Sequence, residues 1–254
     1  MAGELSMTIE ADFPLYVVAD EESGDVLVAA EEVERFFVNP EEESSEVVFL
    51  RAHEVHTGRR RTEDAVLKIV NRRREKVGEY SIGRVMLGNT GMKSADSKIS
   101  SISYRFFGNR CEYPAAAKIW RRWASGVALE KGEWLQWPAS QHSAWLHVVQ
   151  NAWFTSNHRA ARYGGEGVAY LDGFHMSTKS GFFCALGEAV NGPGGYFGSN
   201  LDGLADCISS SSGEGLPMKI IWQNFRTSQE LLDRAFMEST MKVMREFDVD
   251  VAIH

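Results

Sequence analysis

Residues 191–208 of this chain read NGPGGYFGSNLDGLADCI, and this stretch decides the fold of the C-terminal region. Four glycines and one proline among the first eight residues cannot continue a helix, so 191–198 are predicted to form a loop. A helix is predicted to follow from Leu201 to Ser209, capped by Ser199 or Asn200. Its apolar residues share one face at helical spacing.

Two carboxylates project from another side of this predicted helix. Asp202 and Asp206 are four residues apart and therefore point the same way. Like charges at this spacing destabilise an isolated helix by a few tenths of a kcal/mol, roughly, and only Asp202 is close enough to the positive helix N-terminus to recover part of this. A solvated helix face explains most such pairs, but the glycine loop that precedes this one favours a binding function.

The remainder of the C-terminal region alternates between strand and helix patterns, which predicts a small parallel sheet. Short apolar runs indicate strands, and amphipathic runs with polar starts indicate the helices between them. The predicted strands are 168–171, 218–222 and 249–253, and the further helices are 178–190 and one or two within 228–247.

The N-terminal region is predicted to be mixed α/β. Strands are predicted at 13–18, 25–30 and 47–50, an acidic loop at 41–46, and helices at 62–74, 114–123 and 139–154. Thr62 can cap the first of these helices, since acids follow it and Val66, Ile69 and Val70 share one face. The polar, glycine-rich stretch 155–168 indicates a boundary, which gives domains 1–164 and 165–254.

Composition narrows the range of functions. The net charge of -8 disfavours general binding to nucleic acid. The three cysteines are widely spaced and form no CxxC pair, which favours a reducing cytoplasm and no zinc site. The N-terminus does not resemble a signal peptide, and no run of 18 apolar residues exists, so we expect a cytoplasmic protein without membrane contact.

Catalytic and cofactor motifs are not evident, so we expect no enzyme and no cofactor. The glycines at 192, 194 and 198 do not form GxGxxG and follow a helix rather than a strand. His53 and His56, in HEVH, have no third ligand, so a surface or loop role is predicted and no metal site. Six of the seven tryptophans lie between 120 and 153, which predicts core packing, with a partner surface as the alternative.

Three blocks in order resemble the barstar family. They are GYFGSNLDGLADC at 195–207, IIWQNFRTSQELL at 220–232 and VMREFDVDVAI at 243–253, within a resemblance that covers about 168–254. The resemblance implies a three-stranded parallel sheet packed by helices. It also implies a function, which is inhibition of a guanyl-preferring ribonuclease by plugging its active site, in defence of the cell that makes it.

The resemblance also implies a set of partner-binding residues. Two departures leave the target ribonuclease and the affinity open: Ala205 replaces the tryptophan of the family's binding helix, and the serines at 209–212 replace the aromatic residue after it. The implied binding residues are Tyr196, Gly198, Asn200, Asp202, Asp206 and Glu246.

The residues themselves are chemically suited to the inhibition of a ribonuclease. A ribonuclease active site holds phosphate with cationic side chains, and a carboxylate pair on a rigid helix can occupy that site as a mimic. Glycines allow the loop backbone to approach a guanine pocket closely. Residues 168–254 hold 11 acids and 6 bases, a net charge of -5 that suits a basic enzyme.

A competing hypothesis concerns residues 59–76, which hold eight bases and three acids. They are predicted to form a solvated amphipathic helix or to pair with the acidic loop at 41–46. Alternatively, the arginines at 72–74 contact RNA or a regulator, and the C-terminal domain binds a partner other than a ribonuclease.

Overall fold

The computed structural model describes residues 13–42, 44–56, 60–90, 99–163, 167–211 and 218–254. The chain forms two compact units, one up to Val127 and one from Ala128 onward. Among the described residues, no helix has both the length and the apolar character needed to cross a bilayer.

In its described part, the first unit is a closed barrel of antiparallel strands in the order β1-β2-β3-β6-β5-β4, followed by one helix. Pairing of β1 with β4 closes the barrel, so each of the six described strands is paired on both sides. The strands are β1 Tyr16–Asp20, β2 Val26–Glu34, β3 Glu46–Val55, β4 Arg61–Val70, β5 Lys76–Thr90 and β6 Ile99–Phe106, and the helix is α1 Ala116–Ala124.

A buried acid in β2, Glu31, pairs with His53, one of the two histidines in HEVH. Glu31 is only 4% exposed, and its carboxylate oxygens lie 2.5 Å from Arg51 Nε and 2.7 Å from His53 Nε2. The paired charges offset the cost of burying the carboxylate. His56 follows β3 and is exposed. The structure therefore gives His53 a partner within the barrel.

The helix predicted at 62–74 is wrong, because these residues form β4 and the turn after it. β4 pairs with β1 on one side and with β5 on the other. Its register with β5 shifts between Thr62 and Ala65 and again between Ala65 and Val66, which interrupts the alternation by which a strand is recognised in a sequence. The arginines at 72–74 are exposed in the turn that joins β4 to β5.

The second unit contains a parallel sheet in the order β7-β8-β9, covered by helices, and this confirms the α/β class and the three-stranded sheet predicted for the C-terminal region. The strands are β7 Val168–Asp172, β8 Lys219–Gln223 and β9 Asp250–Ile253. The helices are α2 His142–Thr155, α3 Lys179–Asn191, α4 Leu201–Ser211, α5 Phe225–Leu231 and α6 Arg234–Glu246.

Aromatic side chains fill the core between this sheet and its helices. The ring centroid of Phe182 in α3 lies 5.5 Å from that of Trp222 in β8 and 5.4 Å from that of Phe236 in α6. Phe182 and Trp222 are fully buried, and each large ring removes substantial apolar area from water. α4 packs against α6, and this contact fixes the outer face of α4 toward solvent.

Residues 128–163 lie in the same compact unit as the sheet. α2 packs against α3, and the Gly132 backbone N–H donates to both carboxylate oxygens of Glu188, at 2.8 and 2.9 Å. The boundary predicted at 164/165 concerns the ability of 165–254 to fold without the preceding chain. That boundary stays a prediction.

Candidate partner-binding surface

The loop before α4 is held close to the helix by a glycine that no other residue replaces without strain. Gly198 has φ +93°, a conformation that L side chains rarely adopt. A Cβ atom built on it would lie 2.8 Å from the backbone nitrogen of Leu204. The loop backbone therefore runs against the first turn of α4, as the sequence pattern leads us to expect.

Asn200 fixes where α4 begins. Its Oδ1 accepts a hydrogen bond from the Gly203 N–H at 2.7 Å, and its carbonyl accepts from the Leu204 N–H at 2.9 Å. Of the two cap residues suggested by the sequence, the structure therefore selects Asn200. This bond uses the side chain that the family resemblance assigned to partner binding.

The acid pair lies on the solvent side of α4. Asp202 and Asp206 are both exposed, whereas Leu204, Cys207 and Ile208 are buried on the inner side. Burial and, to a lesser extent, the negative charge of Asp206 raise the pKa of Cys207 to about 12, so this thiol stays neutral. The geometry offers two carboxylates, one helical turn apart, to an approaching cationic group.

Tyr196 is much less accessible than a binding residue would be. It is only 3% exposed. Its ring centroid lies 5.3 Å from that of Phe154, at an interplanar angle of 62°. Burial raises the pKa of Tyr196, so the hydroxyl remains protonated at neutral pH.

Glu246, the remaining acid in the implied set, ends α6. It is exposed, and its carboxylate lies 3.6 Å from Lys242 Nζ one turn earlier in the same helix. Because α6 packs against α4, Glu246 belongs to the helix next to the acid pair. An exposed pair of this kind contributes little stability, so the carboxylate can exchange Lys242 for another cation.

The two positions at which the sequence departs from the family differ in their surroundings. Ala205 is partly exposed on α4, between the two aspartates. Ser211, in the serine run, is buried, and its hydroxyl donates to the Cys207 carbonyl at 2.6 Å and accepts from the Arg162 N–H at 2.7 Å. Ser211 therefore has a structural role at the end of α4.

Residues 153–163, for which the sequence pattern predicts the end of a helix and a linker, also contribute to this region. Asn191 connects this segment to residues 192–200, which the family resemblance assigns to binding and which are called the binding loop below. Its Nδ2 donates to the carbonyls of Ala161 at 3.1 Å and of Tyr196 at 2.7 Å. The one sequence signal for this contribution is the tryptophan-rich stretch that ends at residue 153, for which a partner surface is the alternative to core packing.

The described geometry defines a class of domain: a small parallel α/β sheet that presents an acidic, capped helix behind a glycine loop. Residues 167–252 match the Barstar family, whose description is barnase inhibitor. The match covers the C-terminal third of the chain and confirms the resemblance seen in the sequence. Members of this family bind ribonucleases as inhibitors, not as enzymes. No curated protein matches the chain.

Proposed function

We propose that this protein inhibits a guanyl-preferring ribonuclease, either a barnase-like enzyme or a ribonuclease toxin. In this proposal it acts in the cytoplasm as an immunity protein or antitoxin and catalyses no reaction. The observation that carries the proposal is the exposure of Asp202 and Asp206, one turn apart on a capped helix within the segment that matches the Barstar family.

In the proposed mechanism, the acid pair takes the place of the RNA phosphate. Carboxylates accept charge-assisted hydrogen bonds from lysine, arginine and histidine, as phosphate oxygens do. The Asn200 cap and the close approach at Gly198 hold the helix start in one conformation before binding. This preorganisation lowers the entropic cost of association.

The same arrangement supports fast and specific recognition of a basic enzyme. The net charge of -5 over 168–254 attracts a cationic active site from a distance, and salt weakens this attraction. Gly198 is buried against the first turn of α4, so its part in recognition is to hold the loop in this conformation. Glu246 adds an exposed carboxylate on the neighbouring helix as a distal contact.

Titration of the full chain into an RNA-cleavage assay tests the proposal. The probes are barnase, other small guanyl-preferring ribonucleases and ribonuclease toxins. We expect stoichiometric inhibition of at least one of them, weakened by added salt. If the folded protein neither inhibits nor binds any of these enzymes at micromolar concentration, the proposed function is refuted.

A second candidate function is favoured by the exposure of the arginines at 72–74 in the β4–β5 turn. Such a turn can contact RNA phosphates. The full chain would then bind labelled single-stranded RNA with a steep dependence on salt, and replacement of the three arginines by glutamine would reduce the slope. RNA binding unchanged by these substitutions would remove this candidate.

A further inference from the structure

We propose that Phe154, which precedes the residues matched by the Barstar family, supplies the exposed aromatic contact of the inhibitor surface, since its ring packs on the buried Tyr196 and remains open to solvent. The inference rests on the proposed function. It assigns to residues 153–163 a direct part in recognising the ribonuclease.

The ring of Phe154 is exposed, whereas the ring of Tyr196 beneath it is buried. Phe154 lies near the end of α2 and is 43% exposed, whereas Tyr196 in the binding loop is 3% exposed. Their centroids are 5.3 Å apart. A partner that approaches the loop at this point therefore meets the ring of Phe154, and the residue that the family resemblance assigned to the contact serves as its support.

This aromatic pair is continuous with the acidic helix. A Cβ atom built on Gly203 would lie 3.4 Å from the hydroxyl oxygen of Tyr196, so this hydroxyl lies close to α4 at the residue after Asp202. Asp206 is also one of the charges that raise the pKa of Tyr196. The buried Tyr196 therefore lies beside both Phe154 and the helix that carries the acid pair.

The segment that follows Phe154 is held together by hydrogen bonds and ring stacking among its own residues. The indole N–H of Trp153 donates to the carbonyl of Arg159 at 2.7 Å, and the N–H of Arg159 donates to the hydroxyl of Tyr163 at 2.8 Å. The rings of Trp153 and His158 stack with centroids 4.3 Å apart. These contacts order the segment before any partner binds, which lowers the entropic cost of using it.

Hydrogen bonds from Asn191 attach this segment to the binding loop. The side chain of Asn191 accepts from the Tyr163 N–H at 2.7 Å and donates to the carbonyls of Ala161 and Tyr196, at 3.1 and 2.7 Å. One residue at the end of α3 therefore holds both the segment and the loop.

The same segment reaches the end of α4, where the sequence lacks the family's aromatic residue. The Arg162 N–H donates to Ser211 at 2.7 Å, so chain from outside the family match lies beside the serine run. Tyr163, the next residue, is 52% exposed. Aromatic residues dominate binding energy at protein interfaces. The exposed rings of Phe154 and Tyr163 offer aromatic area on a surface where Ala205 and the serines at 209–212 replace the aromatic residues of the family.

This arrangement defines the kind of ribonuclease that fits. Its cationic active site faces Asp202 and Asp206, and an apolar patch at the rim of that site faces Phe154. An enzyme with the same catalytic groups but a charged rim would bind more weakly, because a charge would lose water against the ring of Phe154.

Three substitutions in the full chain test the proposal through the inhibition constant. Phe154→Ala is expected to raise it at least about tenfold, since truncated aromatic anchors behave as hot spots. Phe174→Ala is the matched control, because Phe174 belongs to the same unit and is 57% exposed, and it is expected to change the constant less than about twofold. Asp206→Ala reports on the proposed function itself, and thermal unfolding verifies that each variant folds.

A labelling experiment separates direct contact from support of Tyr196. The native cysteines are all buried, so the thiol introduced by Phe154→Cys is the one open to alkylation in the folded protein. Bound ribonuclease is expected to slow its alkylation at least about tenfold, in proportion to the occupied fraction. The thiol introduced by Phe174→Cys is expected to react at an unchanged rate.

The outcomes distinguish the two proposals. If the wild-type chain inhibits and Asp206→Ala weakens it, an unchanged constant for Phe154→Ala overturns the inference and leaves the proposed function standing. A raised constant with an unprotected thiol also overturns it, because Phe154 would then act only by supporting Tyr196. Absence of inhibition by the wild-type chain refutes both proposals.

Discussion

Asp206 is the residue at which the proposed mechanism meets its sharpest test. It is exposed in the middle of α4, four residues after Asp202, and it does not belong to the buried inner face of the helix. Asp206→Ala removes a repulsion between like charges worth about 0.2–0.5 kcal/mol. The variant is therefore expected to fold normally and to unfold at the same or slightly higher denaturant concentration.

Its effect on inhibition is expected to be much larger. In the complex, the Asp206 carboxylate leaves water and meets cationic side chains, and removal of one partner from a buried ion pair costs about 3–5 kcal/mol. This corresponds to an increase of about 150-fold to 5,000-fold in the inhibition constant. A solvated surface acid would instead cost about half a kcal/mol or less, a factor of roughly two. The two ranges do not overlap.

The assay measures inhibition of RNA cleavage by the cognate ribonuclease at several salt concentrations. Glu230→Ala is the matched control, because it removes one carboxylate from a helix of the same unit, where Glu230 is 67% exposed and pairs with Arg226 at 3.3 Å. We expect the control to stay within about twofold of wild type. An unchanged inhibition constant in folded Asp206→Ala protein would refute the mechanism in which the acid pair takes the place of the RNA phosphate, even with the barstar-like fold in place.

Three further predictions concern other parts of the chain. Replacement of the arginines at 72–74 by glutamine is expected to leave the inhibition constant unchanged, since these residues precede the family match, and a large loss would bring the first unit into the interface. Gly198→Ala is expected to lower the free energy of unfolding by about 1–3 kcal/mol in denaturant titrations, because φ is +93° and the new Cβ would lie 2.8 Å from Leu204 N; equal stability would contradict the strain. Burial lowers the pKa of His147 to about 4 from an ordinary 6.5, so the unfolded chain binds the proton more tightly, and stability is expected to fall as pH drops from 6.5 to 4, by at most about 1.4 kcal/mol per pH unit. In urea titrations His147→Gln should remove this contribution, and an identical pH dependence in the variant would show that His147 does not carry it.

Much of the second unit could be predicted because its signals are local. The Thr178 hydroxyl accepts from the Gly181 N–H at 2.9 Å, and Asn200 bonds Gly203 in the same way, so the starts of α3 and α4 are encoded within three residues. The exposure of Asp202 and Asp206 follows from helical periodicity once the buried positions are known.

The barrel of the first unit could not be predicted in the same way. β4 is defined by hydrogen bonds to β1, far away in the sequence, and to β5 through an irregular register. Val66 and Ile69 satisfy a helical pattern as well as they satisfy a bulged strand, and only the partner strands distinguish the two. The choice between helix and strand at 62–74 is therefore made by tertiary contacts that no local window contains.

The candidate site combines both situations. The burial of Tyr196 and the exposure of Phe154 depend on contact between a loop and a helix from a segment much earlier in the chain, so local patterns could not separate a supporting ring from a contacting one. The acids behave differently, because the fold gains little from them. Asp206 lies too far along α4 to be stabilised by the helix N-terminus, and it repels Asp202. A carboxylate held outward at that position, on a helix fixed by its cap and its buried face, is better explained by a cationic partner than by the stability of the domain.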